Sequence, residues 1–403
     1  MTAKRSLALL LNAAFCILVF ISVAKAQPYL IGQTTLTFID PSRNNRAVET
    51  EIFYPAQQSG TNVAVTAGTL KFPVISIGHG FVMTVDAYYN LRDMLVPEGY
   101  IVALPKTEGS FSPNHANFGR DLAFVIDALQ QEGLNSSSRF FSRVDTMNCV
   151  MGHSMGGGAA HLAAAGSSSI KSIATLAAAE TNPSAIGAAG NISIPALVFA
   201  GSNDCITPPN TNQLPMYNAL KSNCKTYISI SGGSHCQMSM SNGNCNGGEL
   251  FAGCTAPAIT RSQQHAIIKS YLIPWLNYQL KNNCQAGASF ESLMQNDNKI
   301  SFQNNCTFCQ VSNTSDIQLP KDYKIYPNPF QQTINIDNYQ QEKGPLSVVL
   351  SDTEGRTIKK SLLTKDLLQN PIQINTSDLP TGCYFLQINN GKQTQSYKLV
   401  KQL

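Results

Sequence analysis

The sequence predicts an α/β fold with a mostly parallel central sheet, followed by a small all-β sandwich. The chain has 403 residues, which is long for one domain, and 43% of them are apolar, which is high for a disordered chain. Between residues 27 and 296, short apolar runs alternate with longer stretches of helical spacing. After residue 322, short alternating runs are separated by turn residues instead. We therefore expect two folded units.

The charge balance disfavours nucleic acid and anionic membranes as partners. The formal net charge is +4, and three basic residues, Lys4, Arg5 and Lys25, lie in the first 26 residues, which contain no acidic residue. The rest of the chain is close to neutral, so it lacks the electrostatic footprint of proteins that bind polyanions.

The first 26 residues have the pattern of an export signal. Lys4 and Arg5 precede an apolar run over residues 7–23, and Ala24 and Ala26 have the spacing that a signal peptidase requires. We predict a signal peptide of residues 1–26. A membrane anchor is the alternative, because the run is about long enough to span a bilayer.

The strand candidates of the first unit are short apolar runs, at residues 74–77, 100–104, 148–151, 196–200 and 227–230. Helical spacing is found over residues 118–129 and 159–165. Asp121 and Asp127 fall in the first of these helices, and we expect them on its solvated face. The predicted organisation is a signal peptide (1–26), an α/β domain (27–296), a polar linker (297–322) and a C-terminal domain (323–403).

Residues 152–156 match the pattern G-x-S-x-G, with Ser154 as the candidate nucleophile. The motif lies between an apolar strand candidate and a helix candidate, where a nucleophile elbow has to lie. A serine on so tight a turn has a strained backbone, and small residues two before and two after it prevent collisions. Gly157 and Gly158 let the start of the helix come close to the reacting atom.

Asp204 and His235 each follow a strand candidate across a short loop. Serine, acid and then histidine is the chain order of the α/β-hydrolases, and loops at the carboxyl edge of one sheet can meet. We predict that His235 is the general base, that Asp204 orients it, and that Ser154 becomes acylated. Glu180 is a weaker alternative for the acid, because it precedes the usual strand position.

The oxyanion of the reaction requires two hydrogen-bond donors. One is the backbone N–H of Met155, the residue after the nucleophile. The other is expected from the loop after an early strand, at residues 78–81, where we favour the N–H of Phe81.

Together these motifs resemble the bacterial cutinase and polyester-hydrolase branch of the α/β-hydrolases. The resemblance covers about residues 49–279 and rests on GHGF, GHSMGGG, NDCITP and GGSH, which begin at residues 78, 152, 203 and 232. It implies a secreted serine hydrolase of carboxylic esters with no metal, cofactor or lid domain. Hydrolases of poly(ethylene terephthalate) are among the members of that branch.

The chain departs from this family where the family places a tryptophan against the substrate. The corresponding stretch has no aromatic residue, and Ala179 and Glu180 stand there. Trp275, the only tryptophan, is expected in a helix that packs on the core. We expect the substrate site to be lined by Phe81, which keeps the aromatic wall, together with His153, Ala179 and Glu180. An aromatic polyester is thus one option beside soluble, lipid and plant cell-wall esters.

Ten cysteines follow the signal peptide, and in an exported chain they favour disulfides. Some family members link the acid and base loops, so the resemblance suggests a Cys205–Cys236 bond, with Cys205–Cys224 as the competing pair. The inserted residues 237–260, which depart from the family, are expected to shape the cleft.

Metal sites are not predicted. Cys306 and Cys309 form a C-x-x-C, but no second such pair exists to complete a zinc site, so a structural disulfide is the better interpretation. His115, His161 and His265 lack the acidic or cysteine neighbours that a metal site would require.

The C-terminal domain has strand candidates at residues 333–336, 346–350, 372–374, 383–388 and 397–400. It resembles the C-terminal sorting domain of type IX secretion substrates in YPNPF, DTEGR, LPTGCY and KLVK, which begin at residues 326, 352, 379 and 398. The resemblance implies type IX export to the outside or surface of a Bacteroidetes-type bacterium. A carbohydrate-binding sandwich is the alternative.

Two function classes follow from the sequence. The first is a secreted, monomeric hydrolase of carboxylic esters or polyesters. The second is a surface binding protein that keeps the triad without turnover. Ester hydrolysis by the wild type and by Ser154→Ala separates them.

Overall fold

A ten-stranded sheet forms the centre of the first unit in the computed structural model of the chain. The structure describes residues 29–309, 323–338, 346–352, 356–363, 371–389 and 394–402. The chain divides into two units at residues 311 and 312. The predicted signal peptide lies outside the described residues.

The sheet of the first unit is parallel at its centre and antiparallel towards both edges. The central strands β4 to β9 pair in parallel in the order β9-β8-β7-β6-β4-β5, while the pairs β5–β2, β2–β1 and β9–β10 are antiparallel. The two-residue edge strand β3 pairs in parallel with β1. The strands are β1 (Leu30–Asp40), β2 (Arg46–Ala56), β3 (Gly60–Thr61), β4 (Phe72–Gly78), β5 (Ile101–Pro105), β6 (Val144–His153), β7 (Ile173–Leu176), β8 (Ala196–Gly201), β9 (Lys225–Ile230) and β10 (Ile300–Asn304). All five strand predictions for this unit are confirmed.

Helices lie between the strands and follow the last parallel strand. They are α1 (Tyr89–Leu95), α2 (His115–Glu132), α3 (Met155–Gly166), α4 (Ala185–Ala189), α5 (Gln213–Ala219), α6 (Gly243–Phe251), α7 (Arg261–Lys281) and α8 (Cys284–Asn296). Helix α7 begins with a capping box, in which Thr260 and Gln263 satisfy each other's backbone N–H groups. Trp275 is fully buried in this helix, as predicted. Among the described residues, the helices are too short or too polar to cross a bilayer.

The core has two apolar layers, one on each face of the sheet. Neighbouring residues of a strand point to opposite faces, and Val74 and Ile75 accordingly belong to different clusters of buried side chains. Because both faces are covered, strands β4, β5 and β8 are buried along their whole length. This burial explains why they read as continuous apolar runs in the sequence.

The second unit consists of two antiparallel sheets, as expected for a small all-β domain. One sheet has the order β11-β12-β15 and the other β14-β13-β16-β17. The strands are β11 (Tyr323–Tyr326), β12 (Thr333–Asn338), β13 (Leu346–Ser351), β14 (Thr357–Leu363), β15 (Ile372–Asn375), β16 (Gly382–Asn389) and β17 (Thr394–Lys401). Their inward residues form one apolar cluster.

Two sequence-based expectations differ from the structure of the first unit. The linker predicted from residue 297 begins later, because Ile300–Asn304 pairs with β9 as an edge strand of the main sheet. Asp121 is fully buried rather than solvated. Its carboxylate forms ion pairs with Arg43 at 2.6 Å and Arg46 at 2.7 Å, so α2 is joined through it to the β1–β2 hairpin.

Candidate active site

Ser154 lies on the turn between β6 and α3, with φ 55° and ψ −123°. A positive φ is uncommon for a residue with a Cβ and marks backbone strain. Glycine is required on both sides of the turn: a Cβ at Gly152 would collide with the carbonyl of Gly156, and a Cβ at Gly156 would collide with Gly78. The same close approach brings the start of α3 against the end of β4, where the predicted oxyanion loop begins.

Asp204 lies in the loop after β8 and is 5% exposed. Its Oδ1 accepts hydrogen bonds from the N–H groups of Ile206 (2.9 Å) and Thr207 (2.8 Å). These bonds fix the orientation of the carboxylate and leave its Oδ2 available to bond to another side chain. Charge-assisted bonds of this kind are stronger than neutral ones.

His235 lies in the loop after β9 and is 2% exposed. Its Nδ1 is 2.8 Å from Oδ2 of Asp204. Because an ionised carboxylate can only accept, Nδ1 carries the hydrogen and Nε2 of the neutral ring keeps a free lone pair. Both residues are described in the structure, and the hydroxyl of Ser154 makes no hydrogen bond to the imidazole of His235.

Thr207 was not identified from the sequence, although it lies three residues after Asp204. Its Oγ1 is 2.8 Å from Oδ2 of Asp204 and 3.0 Å from Nδ1 of His235. The amide of Gln213 donates to the same oxygen at 3.1 Å. The buried hydroxyl of Thr207 therefore contacts both the acid and the histidine of the candidate triad.

The loop after β4 leaves the backbone N–H groups of Phe81 and Val82 without a hydrogen-bond partner among the described residues. The N–H of Gly80, in contrast, donates to the hydroxyl of Tyr88 at 2.7 Å. The next residue, Val82, has φ 49°, which is a strained value for a β-branched side chain. Met155 is the first residue of α3, and the first N–H groups of a helix lack intrahelical partners.

His153 is fully buried beside His235 of the candidate triad. Its ring centroid is 4.7 Å from that of His235, and its Nε2 is 3.2 Å from the backbone oxygen of His235. Its Nδ1 is 2.9 Å from the hydroxyl of Tyr88. Burial lowers the pKa of His153 well below its usual value, so the ring is neutral.

Phe81, which the sequence assigned to the substrate site, pairs at the rim with Phe111, which the sequence analysis did not identify. Phe81 is 46% exposed and Phe111 is 84% exposed, and their rings meet edge to face with centroids 6.2 Å apart. Phe111 is the only aromatic residue in the polar loop between β5 and α2, which is the signal that could have identified it.

Residues 179 and 180 lie next to the nucleophile turn. The N–H of Ala179 donates to the carbonyl of Ser154 at 2.9 Å. The carboxylate of Glu180 accepts from the N–H of Ile186 at 3.0 Å. Asp204, not Glu180, is therefore the carboxylate in contact with His235.

The disulfides differ from those suggested by the sequence. Cys205, beside Asp204, is bonded to Cys254, and Cys236, beside His235, is bonded to Cys245. Cys205–Cys236 and Cys205–Cys224 are thus both wrong. The acid and base loops are instead each joined to the insertion that carries α6, so this insertion contacts both.

The two cysteines of the C-x-x-C are not bonded to each other, although Cys306 does form a structural disulfide. Cys306 is bonded to Cys224, because the antiparallel pairing of β9 and β10 places Thr226 opposite Asn304 and so brings the flanking cysteines together. Cys309 is a free thiol. The described residues contain no group of histidine, cysteine or acidic side chains arranged to hold a metal ion.

Comparison with known proteins agrees with this architecture. Residues 23–252 match the family model described as PET hydrolase-like, and residues 324–402 match that of a secretion system C-terminal sorting domain. Cutinase 2 of Thermobifida cellulosilytica is 25% identical over 177 residues, which are 42% of this chain and 64% of the relative. A cutinase of Thermobifida fusca (strain YX) is 25% identical over 247 residues, 58% of this chain and 78% of the relative.

A mostly parallel sheet that carries a serine elbow, with an acid and a histidine on later loops, defines an α/β-hydrolase. Since the family model covers more than half of the chain, the chain belongs to the PET hydrolase-like family, and its C-terminal unit is a type IX sorting domain. The chain spans 53–64% of the length of four of the similar cutinases.

Proposed function

We propose that the protein is a secreted hydrolase of carboxylic esters that works through an acyl-enzyme on Ser154. The observation that carries this proposal is the buried pair of His235 and Asp204, joined at 2.8 Å, at the same sheet edge as the strained serine turn. A buried histidine whose Nδ1 donates to a carboxylate keeps its Nε2 available to accept a proton, as a general base requires.

In the first half of the reaction, Ser154 Oγ attacks the ester carbonyl and its proton passes to Nε2 of His235. Asp204 stabilises the resulting imidazolium through Nδ1. The alcohol then leaves with the proton from Nε2. The hydroxyl and ring need not be hydrogen-bonded beforehand, because such bonds often align only when the substrate is bound.

In the second half, a water molecule transfers its proton to Nε2 and attacks the acyl carbonyl, which releases the acid and restores Ser154. The negative oxygen of both tetrahedral intermediates is assigned to the N–H groups of Phe81 and Met155. The occupied N–H of Gly80 supports this assignment, because Gly80 cannot be the donor, whereas the N–H of Phe81 has no partner among the described residues.

An apolar ester is the substrate class that the rim supports. Phe81 and Phe111 offer aromatic surface beside the oxyanion loop, whereas residues 179 and 180 supply none. Family membership favours a polyester such as poly(ethylene terephthalate). Small soluble esters and plant cell-wall esters are the alternative substrates. We assign His153, Ala179 and Glu180 to the lining of the substrate pocket.

Release of p-nitrophenol from p-nitrophenyl butyrate tests the proposal. The wild type is expected to turn over, and Ser154→Ala to fall to the background rate. Equal, slow release by both proteins would favour the second candidate, a binding protein on a hydrolase scaffold. Products released from amorphous poly(ethylene terephthalate), measured against those from tributyrin, then separate a polyesterase from a general esterase.

We further propose that the protein is exported in two stages, with residues 1–26 as the signal peptide and residues 323–403 as the part that the type IX machinery recognises. The sorting-domain match over residues 324–402 supports this route to the outside or surface of the cell. Deleting residues 323–403 should leave the hydrolase inside the outer membrane, as measured by cell fractionation.

A further inference from the structure

A buried chain of hydrogen bonds joins the oxyanion loop to the loop of the candidate base. It runs from the N–H of Gly80 to the hydroxyl of Tyr88 (2.7 Å) and on to Nδ1 of His153 (2.9 Å). From Nε2 of His153 it reaches the backbone oxygen of His235 (3.2 Å). Both linking side chains, Tyr88 and His153, are fully buried.

Which atom donates in each of these three hydrogen bonds follows from the backbone groups at the two ends of the series. The backbone oxygen of His235 can only accept, so Nε2 of His153 carries the hydrogen. In a neutral ring Nδ1 is then a bare acceptor, and the hydroxyl of Tyr88 must donate to it. The N–H of Gly80 can only donate, and the oxygen of Tyr88 receives it. One tautomer of His153 therefore satisfies all three bonds.

We propose that Tyr88 is a positioning residue for the ester hydrolysis proposed above, acting on the two loops at once. Its hydroxyl holds His153 as the Nε2–H tautomer, which anchors the backbone of His235. The same oxygen occupies the N–H of Gly80, so Gly80 does not compete with Phe81 as the donor to the oxyanion. A Cβ at Gly80 would lie 2.7 Å from the sulfur of Met83 and 3.2 Å from the hydroxyl of Tyr88, so the loop has little room to shift.

The first test is Tyr88→Phe in the full chain, with Tyr100→Phe as the matched control. Tyr100 is equally buried, and its hydroxyl donates to Asn277 at 2.8 Å away from the candidate site. Both variants should lower the melting temperature. Only Tyr88→Phe should lower kcat for p-nitrophenyl butyrate, by about tenfold, with KM little changed. Wild-type kcat in Tyr88→Phe, or the same loss of kcat in both variants, would overturn the proposal.

The second test is made on the wild-type protein, so it does not depend on whether Tyr88→Phe folds. Nitrogen-15 NMR of histidine-labelled wild type should show His153 with a protonated Nε2 and a bare Nδ1, the signal being assigned with His153→Gln. A hydrogen on Nδ1 would refute the proposed role. Failure of the ester-hydrolase proposal can be distinguished from failure of the role proposed for Tyr88. The former appears as equal turnover by the wild type and Ser154→Ala, whichever nitrogen of His153 carries the hydrogen.

Discussion

The hydroxyl of Thr207 lies 2.8 Å from Oδ2 of Asp204, the same oxygen that holds Nδ1 of His235. All three side chains are buried, so water is not available to replace a lost contact. The carboxylate is thus held by two backbone amides on one oxygen and by a hydroxyl and an imidazole on the other.

Thr207→Val should lower kcat by about 10- to 100-fold, since a hydrogen bond to a charged group contributes about 1.5–3 kcal/mol. Valine has the shape of threonine without the hydroxyl, and Thr207→Ser should retain most of the activity. Thr211→Val in the same loop is the control, because the hydroxyl of Thr211 bonds to the carbonyl of Pro208 and the amide of Asn212 and not to the candidate triad. Steady-state kinetics with p-nitrophenyl butyrate give the comparison, and full activity of Thr207→Val would remove the assigned role.

The aromatic rim predicts a preference for long or aromatic esters. Phe111→Ala should lower kcat/KM for p-nitrophenyl decanoate by about 3- to 10-fold, which corresponds to about 1 kcal/mol of lost apolar contact, and leave that for p-nitrophenyl acetate unchanged. Leu134→Ala is the control, because Leu134 is also strongly exposed but lies beyond the other end of α2. An equal loss with both esters would show that Phe111 does not contact the acyl chain.

The insertion should support catalysis through its disulfides. The double variant Cys236→Ser/Cys245→Ser should lower both the melting temperature and kcat, because it frees the loop of His235. Cys224→Ser/Cys306→Ser removes a disulfide at the β9–β10 edge, and it should lower the melting temperature alone; a native disulfide typically contributes about 2–4 kcal/mol. Thermal unfolding and kcat are measured on the same preparations. Unchanged kcat in the first variant would mean that the insertion does not position the base.

Acidification should destabilise the first unit. Burial lowers the pKa of His161, and the pKa values of His153 and His265 are lowered for the same reason. Below about pH 6.5 the unfolded chain therefore takes up protons that the folded protein does not, so the free energy of unfolding falls as the pH falls. The melting temperature should drop between pH 7 and pH 5, and His161→Asn should show a smaller drop. An equal drop in both proteins would contradict this assignment.

Much of the first unit could be predicted because its strands are buried on both faces. Such strands are continuous apolar runs, as residues 74–77 and 196–200 show, and the loops after them supplied Ser154, Asp204 and His235. The β1–β2 hairpin was missed because the burial of β1 alternates but its inward positions include Gly32, Thr34 and Asp40, so the sequence shows no apolar alternation there. Its arginines in turn explain why Asp121 is buried.

The contacts missed in the candidate site join residues that no sequence pattern connects. Tyr88 lies 65 positions from His153 and 8 from Gly80 in the sequence. Neither separation belongs to a sequence pattern that predicts a contact. The disulfides could not be paired either, because their geometry depends on where α6 lies and on the register of β9 with β10. Such pairings follow from the folded backbone alone.

Covalent labelling by a fluorophosphonate tests the central claim most directly, since these reagents phosphonylate an activated serine and leave ordinary hydroxyls intact. Intact-mass and peptide analysis of the wild type should show one phosphonyl group on Ser154, with labelling strongly slowed in His235→Ala and in Asp204→Asn. Labelling at another residue, or an unchanged rate in His235→Ala, would contradict the triad.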